Sequence, residues 1–169
     1  MNYTYKLILR VITAFLIVFS SNLLYKLLFS PMFYLSYFLL FPYKPVILNN
    51  ILLINDKKLV FISACVATSA YLLLAILILL TKDIAFKKGV KIFIIGFFTL
   101  FIVNLLRIYF LALILLEFNI GLFETLHLFF WQVFSTIFVF LLWIFLTKYF
   151  KIKTIPIYSD FKHLLKELK

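Results

Sequence analysis

The chain has 169 residues, enough for one ordinary domain, and its composition differs sharply from that of a water-soluble protein. Hydrophobic residues make up 66% and charged residues 14%, whereas soluble domains are about half apolar and about a quarter charged. A compact body of this size cannot bury so much apolar surface. The composition therefore excludes soluble globular, disordered and fibrous classes, and it predicts that residues 1–169 form a single transmembrane domain.

The apolar runs predict an all-α, multi-pass membrane helix bundle with about four spanning helices, because one span needs about twenty mainly apolar residues. The first predicted span covers 11–29, and Ser30-Pro31 is expected to end it. The apolar run 32–41 is too short to cross alone, so it is interpreted as a re-entrant or interfacial segment. A second helix with an irregular start is the alternative.

The remaining chain predicts a short extended region and three further spans. Two apolar runs, 51–54 and 59–62, flank a polar turn and read as short strands. Further spans are predicted at 64–80, 92–116 and 126–147, followed by a basic tail, 148–169. The apolar spacing at the end of this tail predicts a short interfacial helix.

The net charge of +11 is interpreted through its location, since basic residues near spanning helices report topology and contact with anionic lipid. With the N-terminus inside, the inner side holds two basic residues in the N-terminal segment, four in the central loop and six in the tail. The outer side holds three, Lys44, Lys57 and Lys58. This predicts a plasma-membrane protein with both termini cytoplasmic. No pattern typical of nucleic-acid binding is present.

In this topology, Cys65, Arg107 and His127 all fall on the outer side of the membrane. An embedded arginine costs about 2.5–3.5 kcal/mol on insertion scales and normally marks a functional interior. Asn104, three residues earlier, shares its helical face. An imidazole can accept the proton of a thiol, and a guanidinium can stabilise an oxyanion. The set therefore suits nucleophilic catalysis, with Cys65 as nucleophile, Arg107 as stabiliser, and His127 protonating the leaving amine. Glu124 is a candidate to orient the imidazole ring.

Two other classes stay open. The chain could be a non-catalytic membrane subunit of an export or surface-polysaccharide assembly complex, in which Arg107 bonds between helices and Cys65 acts as a small hydrophobe. It could also be a small transporter with Arg107 in its substrate site. The sequence has no glycine-rich phosphate loop, no H-E-x-x-H and no Cys/His cluster, so no cofactor or metal is expected.

The ordered motifs resemble the exosortase/archaeosortase family, which carries an invariant Cys, Arg and His in that order. Here the Cys is Cys65 at the start of a span, the N-x-x-R helix supplies Asn104 and Arg107, and His127 opens the last span. The resemblance covers about half of the chain and suits a short archaeal-type member. One departure is Ala67, where family members often have glycine two residues after the Cys, and another is Trp131, where they often have a small residue.

The resemblance implies a membrane cysteine transpeptidase or protease whose active site faces outside. Such enzymes recognise exported proteins through a C-terminal signal that ends in a transmembrane helix and a basic tail. They cleave the signal through a thioacyl enzyme and pass the protein to a lipid or other amine acceptor. The implied roles are nucleophile for Cys65, electrostatic stabiliser for Arg107 and acid/base for His127. Neither the recognition motif, the acceptor nor the oligomeric state follows from the sequence.

Overall fold

The structure is a computed structural model that describes residues 3–81 and 84–152, and it is mostly helical. The order along the chain is α1 (Tyr3–Phe19), α2 (Ser21–Leu39), a 3₁₀ turn (Phe41–Tyr43), β1 (Val46–Leu48), β2 (Ile51–Ile54), β3 (Lys57–Val60), α3 (Ser63–Val66), α4 (Thr68–Leu80), α5 (Phe86–Glu117), α6 (Ile120–Phe129), a π-helical turn (Phe130–Phe134) and α7 (Ser135–Tyr149). The interfacial helix predicted near the end of the tail lies outside the described residues.

Two helical segments of the described chain are long and apolar enough to cross a membrane. One is α5, which contains the predicted span 92–116, and the other runs from Ile120 to Tyr149 through the π-helical turn and contains 126–147. A third is counted if α1 and α2, which meet at a bend of 52°, form one broken span. The predicted span at 64–80 is α3 plus the 13-residue α4. The membrane helix bundle is thus supported, with two or three long apolar spans where four were predicted.

The first helix boundary was predicted in the wrong place. The break comes at Ser20, whose hydroxyl donates to the carbonyl of Ile17 at 2.7 Å, while Pro31 lies inside α2. A proline removes one backbone donor, but apolar helices tolerate this when neighbouring packing holds them. The next two side chains are fully packed, with Met32 at 0% and Phe33 at 3% exposure. The segment 32–41, expected to stand apart, is therefore mainly the second half of α2.

A three-stranded antiparallel sheet is the exception to the all-α prediction, and its order is β1-β2-β3. The extended run predicted at 51–54 is confirmed as β2, whereas β3 begins and ends two residues before the predicted run 59–62 and includes Lys57 and Lys58, which had been assigned to the turn. The two strands pair from Ile51 with Val60 to Ile54 with Lys57. The turn residues Asn55 and Asp56 have φ of 46° and 65°, the left-handed backbone of tight hairpin turns. The strand β1 adds a third element that the sequence pattern did not reveal.

One face of the sheet packs on the helices. Its buried side chains join α2 and α5 in one apolar cluster, which contains Met32, Phe33, Leu40, Leu52, Ile54, Leu59, Phe61, Cys65, Ile108, Ala112 and Leu115. A second cluster fills the space between α4, α5 and α7. There Gly96 permits a close approach of α4, because an added Cβ would lie 2.6 Å from the Leu74 side chain. The candidate site lies where the two clusters meet.

Lys57 fastens the sheet to the end of α5. Its ammonium group donates to the carbonyls of Leu115 at 2.7 Å, Leu116 at 2.9 Å and Phe118 at 3.1 Å. The last carbonyls of a helix have no partner within the helix, and the negative end of the helix dipole favours a cation there. This residue was predicted to be a loop charge that reports topology. The structure gives it a second role, because it fixes the sheet, and the chain that follows β3, against α5.

Candidate functional site

Cys65 lies in α3, a single helical turn between the sheet and α4. The residue before this turn, Ile62, is still extended (φ −117°, ψ 174°), and its carbonyl accepts the backbone N–H of Cys65 at 2.9 Å. The thiol lies 3.9 Å from the carbonyl oxygen of Val60 in β3, and the residue is 6% exposed. The nucleophile candidate is thus a buried group that is held against the end of a strand.

Asn104 and Arg107 reach from α5 to the backbone of α3. The amide nitrogen of Asn104 donates to the carbonyl of Cys65 at 2.8 Å. The Nη2 of Arg107 donates to the carbonyl of Ala64 at 2.7 Å, and its distance to the Cys65 carbonyl is 3.5 Å. The predicted polar stripe is therefore present, since both side chains lie on one face of α5 and converge on two adjacent peptide groups.

The reason for this convergence is the sharp end of α3. The next residue, Ala67, has left-handed backbone (φ 55°, ψ 37°), which stops the first helical turn before α4 begins. So short a helix does not supply enough backbone N–H donors for the carbonyls of Ala64 and Cys65. Buried carbonyls without partners are costly, and the two side chains of α5 supply the missing donors. The position of Cys65 therefore depends on Asn104 and Arg107.

Arg107 also joins α5 to α7. Its Nη1 lies 3.4 Å from the hydroxyl of Ser135, and that hydroxyl donates to the carbonyl of Phe130 at 2.6 Å. In the described part of the chain, its hydrogen-bond partners are two carbonyls and a hydroxyl, with no carboxylate among them. The guanidinium is only 6% exposed, so a full positive charge lies in the interior within reach of the Cys65 peptide.

Three buried polar atoms around Arg107 have no partner within the described residues. They are the Nε of Arg107, the Oδ1 of Asn104 and the hydroxyl of Tyr71. These three residues line a partly open cavity of about 20 Å³ between α4, α5 and the start of α7. A space of that size holds about one water molecule. The cavity is too small for a transported anion, so nothing in it favours Arg107 as a transporter's substrate site.

His127 stands apart from this network. Its half-buried ring stacks on Phe123, with ring centroids 5.8 Å apart and planes inclined by 30°. No hydrogen bond within the described chain joins it to the Cys65 thiol or to Glu124, and Glu124 is exposed. His127 lies about 10 Å along α6 from the helix start, and Arg107 lies about 15 Å from the end of α5, which packs against α6, so the two distances differ by about one helical turn.

The structure thus brings together Cys65, Asn104 and Arg107 and leaves His127 outside their hydrogen bonds. Sequence reasoning missed two members of the site, Tyr71 and Ser135. The serine had a detectable signal, as a hydroxyl in a strongly apolar stretch, whereas the tyrosine was one of ten. Within 3–81 and 84–152, no group of three His, Cys, Asp or Glu side chains is arranged to hold a metal ion.

A scan against protein-family models finds no match to this chain, and neither do searches of curated proteins and of solved structures.

Proposed function

We propose that this protein is a membrane-embedded cysteine transpeptidase or protease that cleaves the C-terminal sorting signal of exported surface proteins. One observation carries the proposal. Arg107 and Asn104 bind the peptide groups on either side of the Cys65 Cα, so a cation and an amide hold the backbone that carries the chain's sole thiol. An arginine embedded in the membrane costs free energy. Because this arginine binds the backbone of the sole cysteine, its presence favours a functional role for that thiol.

The proposed reaction begins with attack of the Cys65 sulfur on the carbonyl carbon of the scissile peptide bond. The thiol proton passes to the ring of His127 before or during the attack, and a tetrahedral oxyanion forms. Arg107, whose Nη2 binds the Ala64 carbonyl beside Cys65, is the cation that stabilises this oxyanion. Collapse breaks the C–N bond, and His127 returns the proton to the leaving amine. A lipid or other amine acceptor then attacks the thioacyl group, releases the thiol and forms the new amide bond.

This cycle requires the His127 ring to reach the thiol when substrate is bound. His127 and Arg107 lie on the packed helices α5 and α6, at distances from the α5–α6 connection that differ by about one helical turn, which is compatible with that movement. Catalytic hydrogen bonds are commonly long or absent without substrate and tighten in the complex. The proposal also includes the predicted topology, in which the sheet side of the bundle faces outside and both termini are cytoplasmic. Its partners are the substrate's C-terminal signal helix, the acceptor and membrane lipid.

The backbone at Ala67 supports the family resemblance on physical grounds. Ala67 occupies left-handed backbone, a conformation that costs an L-residue about 1–2 kcal/mol and costs glycine nothing comparable. The resembled family often has glycine at this position, two residues after its cysteine. Left-handed backbone directly after the helical turn that carries the cysteine therefore favours glycine at this position. Ala67 of this chain adopts the left-handed backbone at an energetic cost.

A second candidate is a non-catalytic membrane subunit, and it too has an observation in its favour. Cys65 is buried, His127 is not bonded to it, and both side chains of α5 bind main-chain carbonyls, which an architectural role would also require. In that case Arg107 and Asn104 only stabilise the short turn α3. Accessibility of the thiol separates the two candidates.

The decisive experiment is labelling of Cys65 in intact cells with a membrane-impermeant maleimide. Cys65 is the only cysteine, so Cys65→Ala provides the background. The enzyme proposal expects rapid labelling from outside that slows in His127→Ala, because the imidazole no longer accepts the thiol proton. It also expects that Cys65→Ala and Cys65→Ser both abolish cleavage of a co-expressed reporter bearing a tripartite C-terminal signal. If the thiol is labelled only after detergent is added, in the wild type and in His127→Ala alike, the result would favour the non-catalytic subunit.

A further inference from the structure

The strand β3 has one unpaired edge, and the hydrogen-bond register shows which groups lie on it. The backbone N–H of Phe61 donates to the carbonyl of Asn50 at 2.8 Å, and the Asn50 side chain donates to the carbonyl of Phe61 at 3.2 Å. Phe61 therefore points both backbone groups toward β2. Because these groups alternate in direction along an antiparallel strand, those of Val60 and Lys58 point the other way.

No strand of the described chain pairs with this second edge. The sheet order is β1-β2-β3, so β3 is an edge strand, and no backbone hydrogen bond within the described residues reaches the outward groups of Lys58 or Val60. Their side chains are also exposed, with Val60 at 46%. Among the described residues, the Cys65 thiol donates to the Val60 carbonyl at 3.9 Å, which leaves that oxygen one further acceptor site. An unpaired strand edge of this kind is a template for an added strand.

The free edge leads to the thiol. The outward carbonyl of Val60 is the atom that lies 3.9 Å from the Cys65 sulfur. An extended peptide paired with this edge would donate an N–H to that carbonyl. The next carbonyl of the bound peptide would then lie about one residue along the strand, roughly 3.3 Å, from the position where the sulfur attacks. No other strand edge leads there, since the free edge of β1 is two strands away.

We infer that the free edge of β3 at Lys58 and Val60 binds the cleavage segment of the substrate as an added antiparallel or parallel strand, and so delivers its scissile bond to Cys65. The inference rests on the proposed function and names its substrate-binding mode. Main-chain hydrogen bonds supply the affinity in this mode, and side-chain pockets supply specificity. The ligand class is an extended peptide segment immediately outside the substrate's transmembrane helix. Lys58 is exposed on the same edge, and its ammonium group favours a segment that presents carboxylate or carbonyl oxygens to it.

The chain offers a closely matched pair of variants. Val60→Pro removes an N–H that points to the free edge of β3, so the pairing of β3 with β2 is retained. In β1, the residues opposite Ile51 and Leu53 bond to β2, and Ile47 between them points its N–H to the free edge of β1. Ile47→Pro therefore imposes the same backbone restriction on the opposite edge, away from the thiol.

The test uses the full-length protein in proteoliposomes and a probe peptide of alternating valine and threonine that ends in a vinyl sulfone. The Cys65 sulfur adds to the vinyl carbon, and the thiol proton ends on the adjacent carbon, so labelling is read by intact mass. We expect Val60→Pro to slow labelling by the peptide about tenfold relative to Ile47→Pro, the effect of losing about one hydrogen bond. Methyl vinyl sulfone, which has no peptide backbone, should label both variants at equal rates.

A second measurement leaves the protein unchanged. N-methylation of the probe at successive positions should slow labelling at every second residue only, because alternate N–H groups of an added strand face β3. Equal slowing at all positions, equal labelling of the two proline variants, or a peptide no faster than methyl vinyl sulfone would overturn the inference. In each of those cases the cleavage results with Cys65→Ala still decide the proposed function separately. A thiol that neither reagent reaches would contradict both.

Discussion

The amide of Asn104 donates to the carbonyl of Cys65 at 2.8 Å, so a side chain in the middle of α5 sets the position of a residue 39 places earlier in the chain. The same nitrogen lies 3.6 Å from the sulfur of Met32 in α2. Asn104 therefore joins three elements at the point where the sheet gives way to the helices. Its role is to place the cysteine rather than to act on a substrate.

Replacing Asn104 by leucine tests that role. The variant removes the shorter of the two hydrogen bonds to the buried Cys65 carbonyl and leaves only Arg107 Nη2 at 3.5 Å, which costs about 1–3 kcal/mol. We expect lower thermal stability in detergent and at least a tenfold loss of reporter cleavage. Thr99→Val is the matched control on the same helix, because the Thr99 hydroxyl is exposed and bonds only to Ile95 within its own helix. An Asn104→Leu protein with the stability and activity of the control would refute the positioning role.

Arg107→Lys tests the need for a planar cation. One ammonium cannot reproduce a guanidinium that reaches Ala64 through Nη2 and Ser135 through Nη1 while Nε stays free. We expect cleavage to fall at least a hundredfold, an effect of the size seen when an oxyanion donor is lost. Stability should fall by only about 1–3 kcal/mol, because the lysine still offers one donor. Full cleavage by this variant would remove Arg107 from the catalytic machinery.

Lys57→Met tests the contact between the sheet and the end of α5. The variant keeps the aliphatic stem and removes the cation from three carbonyls, so the free energy of unfolding should fall by about 1–2 kcal/mol. Lys58→Met is the matched control, since Lys58 is its exposed neighbour in β3. Thermal unfolding of both purified proteins measures the difference. Equal melting temperatures would show that the three hydrogen bonds contribute no net stability.

Ala67→Gly should stabilise the protein. At φ 55° alanine is strained, and glycine relieves about 1 kcal/mol even after its larger entropy loss on folding is counted. Ala70→Gly is the control, because Ala70 lies in the regular part of α4 and should lose about 1 kcal/mol. Opposite shifts in melting temperature are expected. A destabilised Ala67→Gly protein would contradict the left-handed turn after Cys65.

Local rules explain what the sequence could predict. Asn55 and Asp56 adopt left-handed backbone at little cost, so the hairpin between β2 and β3 was visible as a polar turn, 55–58, between apolar runs, although the strand β3 takes up the last two residues of that turn. The three-residue spacing of Asn104 and Arg107 placed them on one helical face without knowledge of their targets. Composition alone predicted a membrane protein, and the two or three long apolar helices of the described chain are consistent with that prediction. These features depend on neighbours within a few residues.

Features that depend on distant contacts were missed. Pro31 was expected to end a helix, but packing of the two residues after it carries α2 onward to Leu39. The short strand β1 forms because β2 offers an edge with which it can pair. A run of three residues does not carry enough sequence pattern to predict that pairing. Lys57 looked like a loop charge because the carbonyls it caps lie about sixty residues later. The position of the His127 ring likewise depends on how α6 packs, so spacing along the chain could not place it near the thiol.

The π-helical turn at Phe130–Phe134 holds one residue more than an ordinary helical turn. Its widened turn is closed by the backbone N–H of Ser135, which bonds to the carbonyl of Phe130. A π-helical turn absorbs its extra residue by widening locally, so a single-residue deletion inside it should give ordinary helix and leave α7 near its present orientation. The same deletion in the regular helix after Ser135 would rotate the rest of α7 by about 100°. This turn is therefore the place in the last helix where a single-residue deletion should be tolerated best.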